Sequence, residues 1–308
     1  MLIPVCDKEI YMSNYTVIPD IHADPERLSL SLATAASSDH LAFLGDFIDA
    51  GKSVLRPDDA EVLTRVRRLI EDDGAVAVMG NHELNAILFH RLDSNGQPLR
   101  ARDDKNRAQH RSFIERFSIG SDDALDWTEW FLTLPLWRDL GGLRLVHACW
   151  SDTAISTIAA RRLDGRLRPD DLEEVARKET PFARAVDLLL SGPETALPAG
   201  IGFHDNSGHY RTQVRIAWWR ADAPTWRAAA LSVPNPEYLP ETEITDELGL
   251  DFYGEENPPV LVGHYKMRGA PRIETPQAAC LDYPDTPCVY RWSGEQALRT
   301  TSLISTNK

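Results

Sequence analysis

Three polar clusters punctuate the first third of the chain, and each one closes a short apolar segment. Asp20-Ile21-His22 follows residues 15–19, Gly45-Asp46-Phe47-Ile48-Asp49 follows 40–44, and Gly80-Asn81-His82-Glu83 follows 75–79. The segments are rich in β-formers and read as buried strands. Helix signals lie between them. Asp24-Pro25 places an N-cap before a proline at the first helical position, and ERLSLSLATAA continues as a helix. Pro57-Asp58-Asp59 opens AEVLTRVRRLIEDD, with acids early and arginines late, as the helix dipole prefers, and Gly74 ends it. Strand alternating with helix predicts a parallel sheet. Ligand sites in such sheets gather at the carboxyl ends of strands, so the clusters should converge in space.

Beyond Glu83 the pattern loosens. Residues 91–126 are polar and charged and read as loop plus helix over the site. LRLVHA (143–148) is a further buried strand, ending in His147; residues 153–190 read as helical and 191–202, holding Pro and Gly, as a loop. VRIAWW (214–219) reads as a strand, and the Pro-, Glu- and Asp-rich 234–259 as a surface excursion. VLVGHY (260–265) is a fifth buried strand carrying His264, and AACLDY, PCVYRW and ALRTTSL read as a β-meander.

The 308 residues suffice to bury a sizeable core, and 43% apolar with 26% charged is ordinary for a globular protein. A formal charge of −14 argues against a basic face that clamps nucleic acid or docks on anionic lipid. No run of eighteen apolar residues is present, so no segment is expected to span a membrane. The first twenty residues show neither a basic leader nor an apolar core. Cys6, Cys149, Cys280 and Cys288 have no CxxC spacing and read as reduced thiols, so a cytoplasmic protein is expected.

The strand ends collect Asp20, His22, Asp46, Asn81, His147 and His264. Mixed carboxylate, imidazole and amide ligation suits borderline first-row ions. Six ligands exceed the three typical of one open catalytic site, whereas a shared carboxylate can serve two ions about 3.5–4 Å apart. Such a pair holds a bridging hydroxide and neutralises a phosphate oxyanion, which suits in-line attack on phosphorus. His82 follows a ligand without having to be one, and is the natural general acid for the leaving oxygen. Asp49, a short step beyond Asp46, is placed to hold the His82 ring in one tautomer.

The series DxH, GDxxDxG, GNHE, a lone strand-end His and a GH pair, in this order from Asp20 to His264, resembles the calcineurin-like metallophosphoesterases. The Gly45–Asp49 run and Gly80-Asn81-His82-Glu83 look most like the phosphoprotein phosphatase branch and its bacterial relatives. The resemblance implies an α/β fold: a four-layer α/β/β/α sandwich of two mixed sheets. It implies one metal on Asp20, His22 and a bridging Asp46, and another on Asp46, Asn81, His147 and His264, with Asp49 and His82 as the acid pair. Manganese is the expected ion, with Fe, Zn or Ni as others that the set accepts. The whole chain, 1–308, is expected to be one domain with insertions or cap segments near 91–126 and 153–210.

The departures are informative. Eukaryotic phosphatases carry an Arg after the second Asp of GDxxD, where this chain has Ala50; the GHxH of wider relatives is here Gly263-His264-Tyr265-Lys266; the fourth motif is His147-Ala148. Phosphate must then be gripped from elsewhere, and Arg211 or Arg215 in HYRTQVRIAWWR supplies a candidate fork. The expected activity is hydrolysis of a phosphomonoester, on a phosphoprotein or a small phosphoester. A symmetrical dinucleoside tetraphosphatase or nucleotide pyrophosphatase is the alternative, and a dead binding module the third reading. His40, His90, His110, His204 and His209 are expected to be structural or solvated. Glu83 is expected to orient loops, Trp218-Trp219 to be core, and Lys266 is left open.

Overall fold

The structure, a computed structural model, describes residues 14–205, 208–220, 223, 225–244 and 252–306. Cys6 therefore lies outside the described residues, as does part of the 234–259 excursion. The chain opens with β1 (Tyr15–Ile18), α1 (Pro25–Ala33), β2 (His40–Phe43), α2 (Asp59–Glu71), β3 (Val76–Ala77) and α3 (Asn81–His90). Asp24 and Asp58 cap α1 and α2 through side-chain hydrogen bonds to backbone N–H groups, as their place before a proline or an acidic first turn predicts. Next come α4 (Asp104–Gln109), α5 (Arg111–Phe117), α6 (Asp122–Phe131), β4 (Trp137–Asp139) and β5 (Arg144–Val146). Then follow α7 (Asp152–Ala159), α8 (Leu172–Arg177), α9 (Pro181–Ser191), β6 (Glu194–Ala196), β7 (Phe203–His204), β8 (Tyr210–Arg211), β9 (Gln213–Ile216), α10 (Trp226–Ala229) and β10 (Ala230–Leu231). The chain ends with β11 (Val260–Val262), β12 (Ala278–Cys280), β13 (Cys288–Trp292) and β14 (Leu303–Ser305).

Two mixed sheets carry the architecture. One runs β14-β13-β1-β2-β3, with β1, β2 and β3 parallel as expected; the other runs β12-β11-β5-β4. Their inner faces meet in one apolar layer: Val17, Ala42 and Leu44 from the first sheet against Leu145, Leu261 and Ala279 from the second. The alternate residues point outward. Ile18 and Phe43 join Leu28 and Val62 of α1 and α2, while Val146 and Val262 join Ile158 and Leu189 of α7 and α9. Strands covered on both faces read as continuous apolar runs, which is why they were visible in the sequence. This α/β/β/α sandwich brings the carboxyl ends of β1, β2, β5 and β11 to one edge.

Three local expectations fail. The 191–202 loop contains β6, which pairs with β9 in a small sheet β10-β9-β6. The 214–219 strand ends at Ile216; Trp218 and Trp219 sit in the turn beyond it, buried, with Trp218 Nε1 donating to the Ala148 carbonyl at 2.9 Å. The tail is no meander: β12 lies parallel to β11 in the second sheet, while β13 and β14 pair antiparallel in the first. Short apolar strands carry no mark of which sheet they join, and Pro284 and Pro287 fall in the crossing between them.

Candidate metal centre

The loops leaving the strands are bent sharply at the residues of interest. His22, Asp46, Asp49 and His264 all adopt left-handed backbone, with φ of 51°, 52°, 66° and 74°. Each such non-glycine residue costs about 1–3 kcal/mol unless its surroundings over-determine it. Here they do. The Ile21 and His22 amides both donate to the Asp46 carbonyl, at 3.0 and 2.9 Å, so the first loop is clipped to the second. The Asp49 amide donates to Asp59 Oδ1 at 3.0 Å, and the His264 amide to Asp20.

Glu83 fastens the third loop to the second. Fully buried, it accepts from the amides of Asp46, Phe47 and Gly80 at 2.8, 2.8 and 2.9 Å. This is the loop-orienting role expected of it. Close approach explains two of the motif glycines. A Cβ on Gly80 would collide with Asp46 and Glu83, and one on Gly263 with Asp20 Oδ1.

The predicted ligands converge. His22 donates from Nδ1 to the Ile48 carbonyl (3.2 Å), which leaves the Nε2 lone pair 3.9 Å from both Asp20 Oδ2 and Asp46 Oδ2. His147 donates from Nδ1 to the Leu44 carbonyl (2.7 Å), aiming Nε2 at Asp46 Oδ1 (3.4 Å) and Asn81 Oδ1 (2.9 Å). His264 Nδ1 lies 2.8 Å from the same Asn81 oxygen. Acceptor atoms thus face one another around two points, with the two oxygens of Asp46 turned one to each. His22 Nε2 is buried without a partner. Lone pairs gathered in this way need a proton or a cation between them, and the imidazoles are oriented by backbone carbonyls as metal ligands are. The residues present fit divalent metal ions. Ligand atoms of His22, Asp46 and His82, and of Asp20, Asp46 and His147, lie within 4.8 Å of one another in two groups that share Asp46.

Protonation follows from the same crowding. Burial resists charge on His147, yet the Asp46 carboxylate lifts its pKa to about 10. Burial, and the cation of His82, push His22 down to about 3. Burial and the nearby Asp282 raise Asp20, whereas His147 and His82 hold Asp46 well below the usual carboxylate range despite its burial. A cation shared by these groups would take the place of the proton that His147 otherwise carries.

His82 stands beside this centre with Nε2 3.9 Å from Asp46 Oδ2 and its ring 4.9 Å from that of His22. Its Nδ1 pairs with Asp49 Oδ2 at 2.6 Å. Burial opposes protonation of His82, but Asp46 and Asp49 raise its pKa above the ordinary value. The other Asp49 oxygen takes His110 Nδ1 at 2.6 Å, and His110 in turn meets His90 at 3.0 Å. Both histidines are expected from the sequence to be structural or solvated, and both are buried within hydrogen bonds. Neither ends a strand motif, so only the folded contact between the last residue of α3 and the residue before α5 reveals the connection.

The arginines separate. Arg211, on the β7–β8 ribbon, donates to Asp205 at 2.9 Å. Arg215 on β9 pairs with Glu194 at 3.4 Å, and its charge is felt at His264. Lys266, exposed and just past His264, exerts its charge on His22 and His82. Asp282 was missed by the sequence reading. It is buried beside Asp20, accepts from the Lys266 amide at 2.8 Å, and keeps Oδ1 unpartnered. Its signal was the one that found the others: a polar residue just past a buried strand.

The calcineurin-like phosphoesterase family profile matches residues 13–264, and the chain belongs to that family. It is accordingly a metal-dependent hydrolase acting on phosphoesters. No match was found among curated protein sequences. Among solved structures, the chain is similar to a cold-active protein-tyrosine phosphatase of a psychrophilic Shewanella species, with 13% identity, TM-score 0.52 and coverage of 96% of this chain and 81% of that one. It is similar to a protein serine/threonine phosphatase from Saccharomyces cerevisiae at 14% identity, TM-score 0.45, covering 97% and 80%. A candidate diadenosine tetraphosphatase gives 16% identity, TM-score 0.41, covering 96% and 93%. At 13% identity the likeness to the Shewanella enzyme is one of fold. Among the described residues, no helix is long and apolar enough to cross a membrane.

Proposed function

We propose that the chain is a phosphomonoesterase of the phosphoprotein phosphatase type. One cation would be held by Asp20, His22 and Asp46, and a second by Asp46, Asn81, His147 and His264. Manganese suits this mixed set, and Fe, Zn or Ni are further candidates. Bound divalent cations supply an activated water for in-line attack on phosphorus and neutralise phosphate charge. His82 gives its Nε2 proton to the leaving oxygen, and Asp49 keeps the ring protonated and turned toward the site. Arg215 and Lys266 draw the phosphate in; Arg215 is preferred to Arg211 because its charge reaches His264. Residues 1–308 form one unit in this reading, with the segments near 91–126 and 153–210 shaping substrate access.

The observation that carries the reading is Asp46: one carboxylate shared by two groups of possible ligands, with His82 of the first group paired to Asp49. Replacing His82 by Asn tests it. Loss of a general acid should lower kcat by roughly 10²–10³-fold while metal content, read by elemental analysis, stays at the wild-type level. An unchanged kcat would refute the acid assignment. Product analysis with manganese added separates the substrates: free phosphate from phosphopeptides or p-nitrophenyl phosphate supports the reading, and nucleoside diphosphates from a dinucleoside tetraphosphate favour the alternative.

A further inference from the structure

The hydrogen bonds around Asp49 extend further than an acid pair needs. Asp49 is buried at the carboxyl end of the second motif and has two oxygens, both taken by histidine Nδ1 atoms at 2.6 Å: His82 on one side, His110 on the other. His110 Nε2 lies 3.0 Å from His90 Nε2, and the Gly120 amide reaches His90 Nδ1 at 3.1 Å. Both added histidines are buried, and the His110 ring stacks on Phe113 with centroids 4.8 Å apart.

The end of this chain dictates every proton in it. A backbone amide can only donate, so His90 Nδ1 must accept and its proton sits on Nε2. That N–H points at His110 Nε2, which must then be bare. A proton on both facing nitrogens would leave neither as acceptor. His110 therefore carries its proton on Nδ1 and gives it to Asp49 Oδ1. The polarity runs from Gly120 through His90 and His110 to Asp49, one direction only. Burial, which pushes the pKa of His90 down to about 3, agrees with a neutral ring there.

We infer that His110, oriented by His90, is a positioning residue for the acid step: its Nδ1–H pins Asp49 so that the opposite carboxylate oxygen stays aimed at His82 Nδ1. This rests on the reading of His82 as general acid. Without the pin, Asp49 gains freedom to rotate about its own side chain, and the acid loses its fixed partner while the metal-binding atoms keep theirs.

The test is a leaving-group series on the metal-loaded enzyme, with metal content measured for each variant. His110→Phe keeps the stack on Phe113 but has no N–H to give. Its kcat should fall ~10-fold or more on phenyl phosphate, a substrate that needs the acid, and much less on p-nitrophenyl phosphate, whose leaving group needs little help. His110→Asn restores a donor near the Nδ1 position and should recover most of the loss. The inference fails if His110→Phe responds equally to both leaving groups, or if Asn does no better than Phe. If His82→Asn is impaired and His110→Phe is not, this inference alone falls; if His82→Asn is also unimpaired, the acid reading falls with it. A measurement on the unaltered, zinc-loaded protein needs no variant to fold. Histidine-ring ¹H–¹⁵N spectra should show His110 protonated at Nδ1 and His90 at Nε2, and the opposite tautomers would overturn the assignment.

Discussion

The two halves of the candidate centre are built differently. The half from the first sheet comprises Asp20, His22, Asp46, Asp49, Asn81 and His82, all within the first third of the chain. Its three loops are clipped to one another by backbone bonds and by Glu83. The half from the second sheet comprises His147 and His264, each alone at its strand end. It is tied across to the first through the Leu44 carbonyl, Asn81 and Asp20. The first half is a self-supporting frame, and the second is two arms leaning on it. Damage to the frame should therefore spread to both groups of possible ligands, whereas damage at the rim should stay local.

Asp46→Asn strikes the one side chain common to both ligand groups. Elemental analysis should show both metals depleted, and activity should fall by more than the ~10–100-fold typical of losing an outer partner of a ligand. Retention of two metals would break the picture of a shared bridge. Glu83→Ala removes the frame's fastening and leaves three buried amides unpaired. At ~1–3 kcal/mol for each, the loss should reach roughly 3 kcal/mol or more, read by urea denaturation. A drop below 1 kcal/mol would show that the loops hold without it.

The rim offers gentler tests. Lys266→Ala and Arg215→Ala should each raise KM, by up to ~10-fold, with thermal midpoint unchanged, since each removes one charge-assisted contact to phosphate. If neither moves KM, phosphate is gripped elsewhere. A last test concerns pH and Asp59, which anchors the Asp49 amide. Burial lifts the Asp59 carboxyl to about 6. The folded chain thus binds this proton more tightly than the unfolded one. Stability from this group is greatest below the ordinary carboxylate range and falls as pH rises toward 6, above which the penalty is constant. Asp59→Asn should flatten that slope relative to wild type, by on the order of 2 kcal/mol between pH 4 and 7. Parallel slopes in the two proteins would contradict it.

Much of the frame was legible because its residues are neighbours in sequence and strand ends are neighbours in space. Asp20, Asp46 and Asn81 each follow one of the three parallel strands of the first sheet, and parallel order delivers such ends to one edge. Asp282 obeyed the same rule but went unnoticed, since its strand was assigned to a meander rather than to the edge of the second sheet. His90 and His110 offered no signal at all. They lie on or beside helices, His90 at the end of an apolar stretch and His110 within a polar one, and neither place marks a histidine for a role.

The sequence by itself determined β1, β2, β3, β5 and β11, the caps of α1 and α2, and which side chains follow those strands, because apolar period and capping chemistry are local properties. Only the tertiary structure decided which Asp46 oxygen faces which histidine, that Arg215 rather than Arg211 lies by His264, and that Asp49 is held from both sides. Those facts depend on distances between segments far apart in the chain, set by how two sheets and the surrounding helices pack.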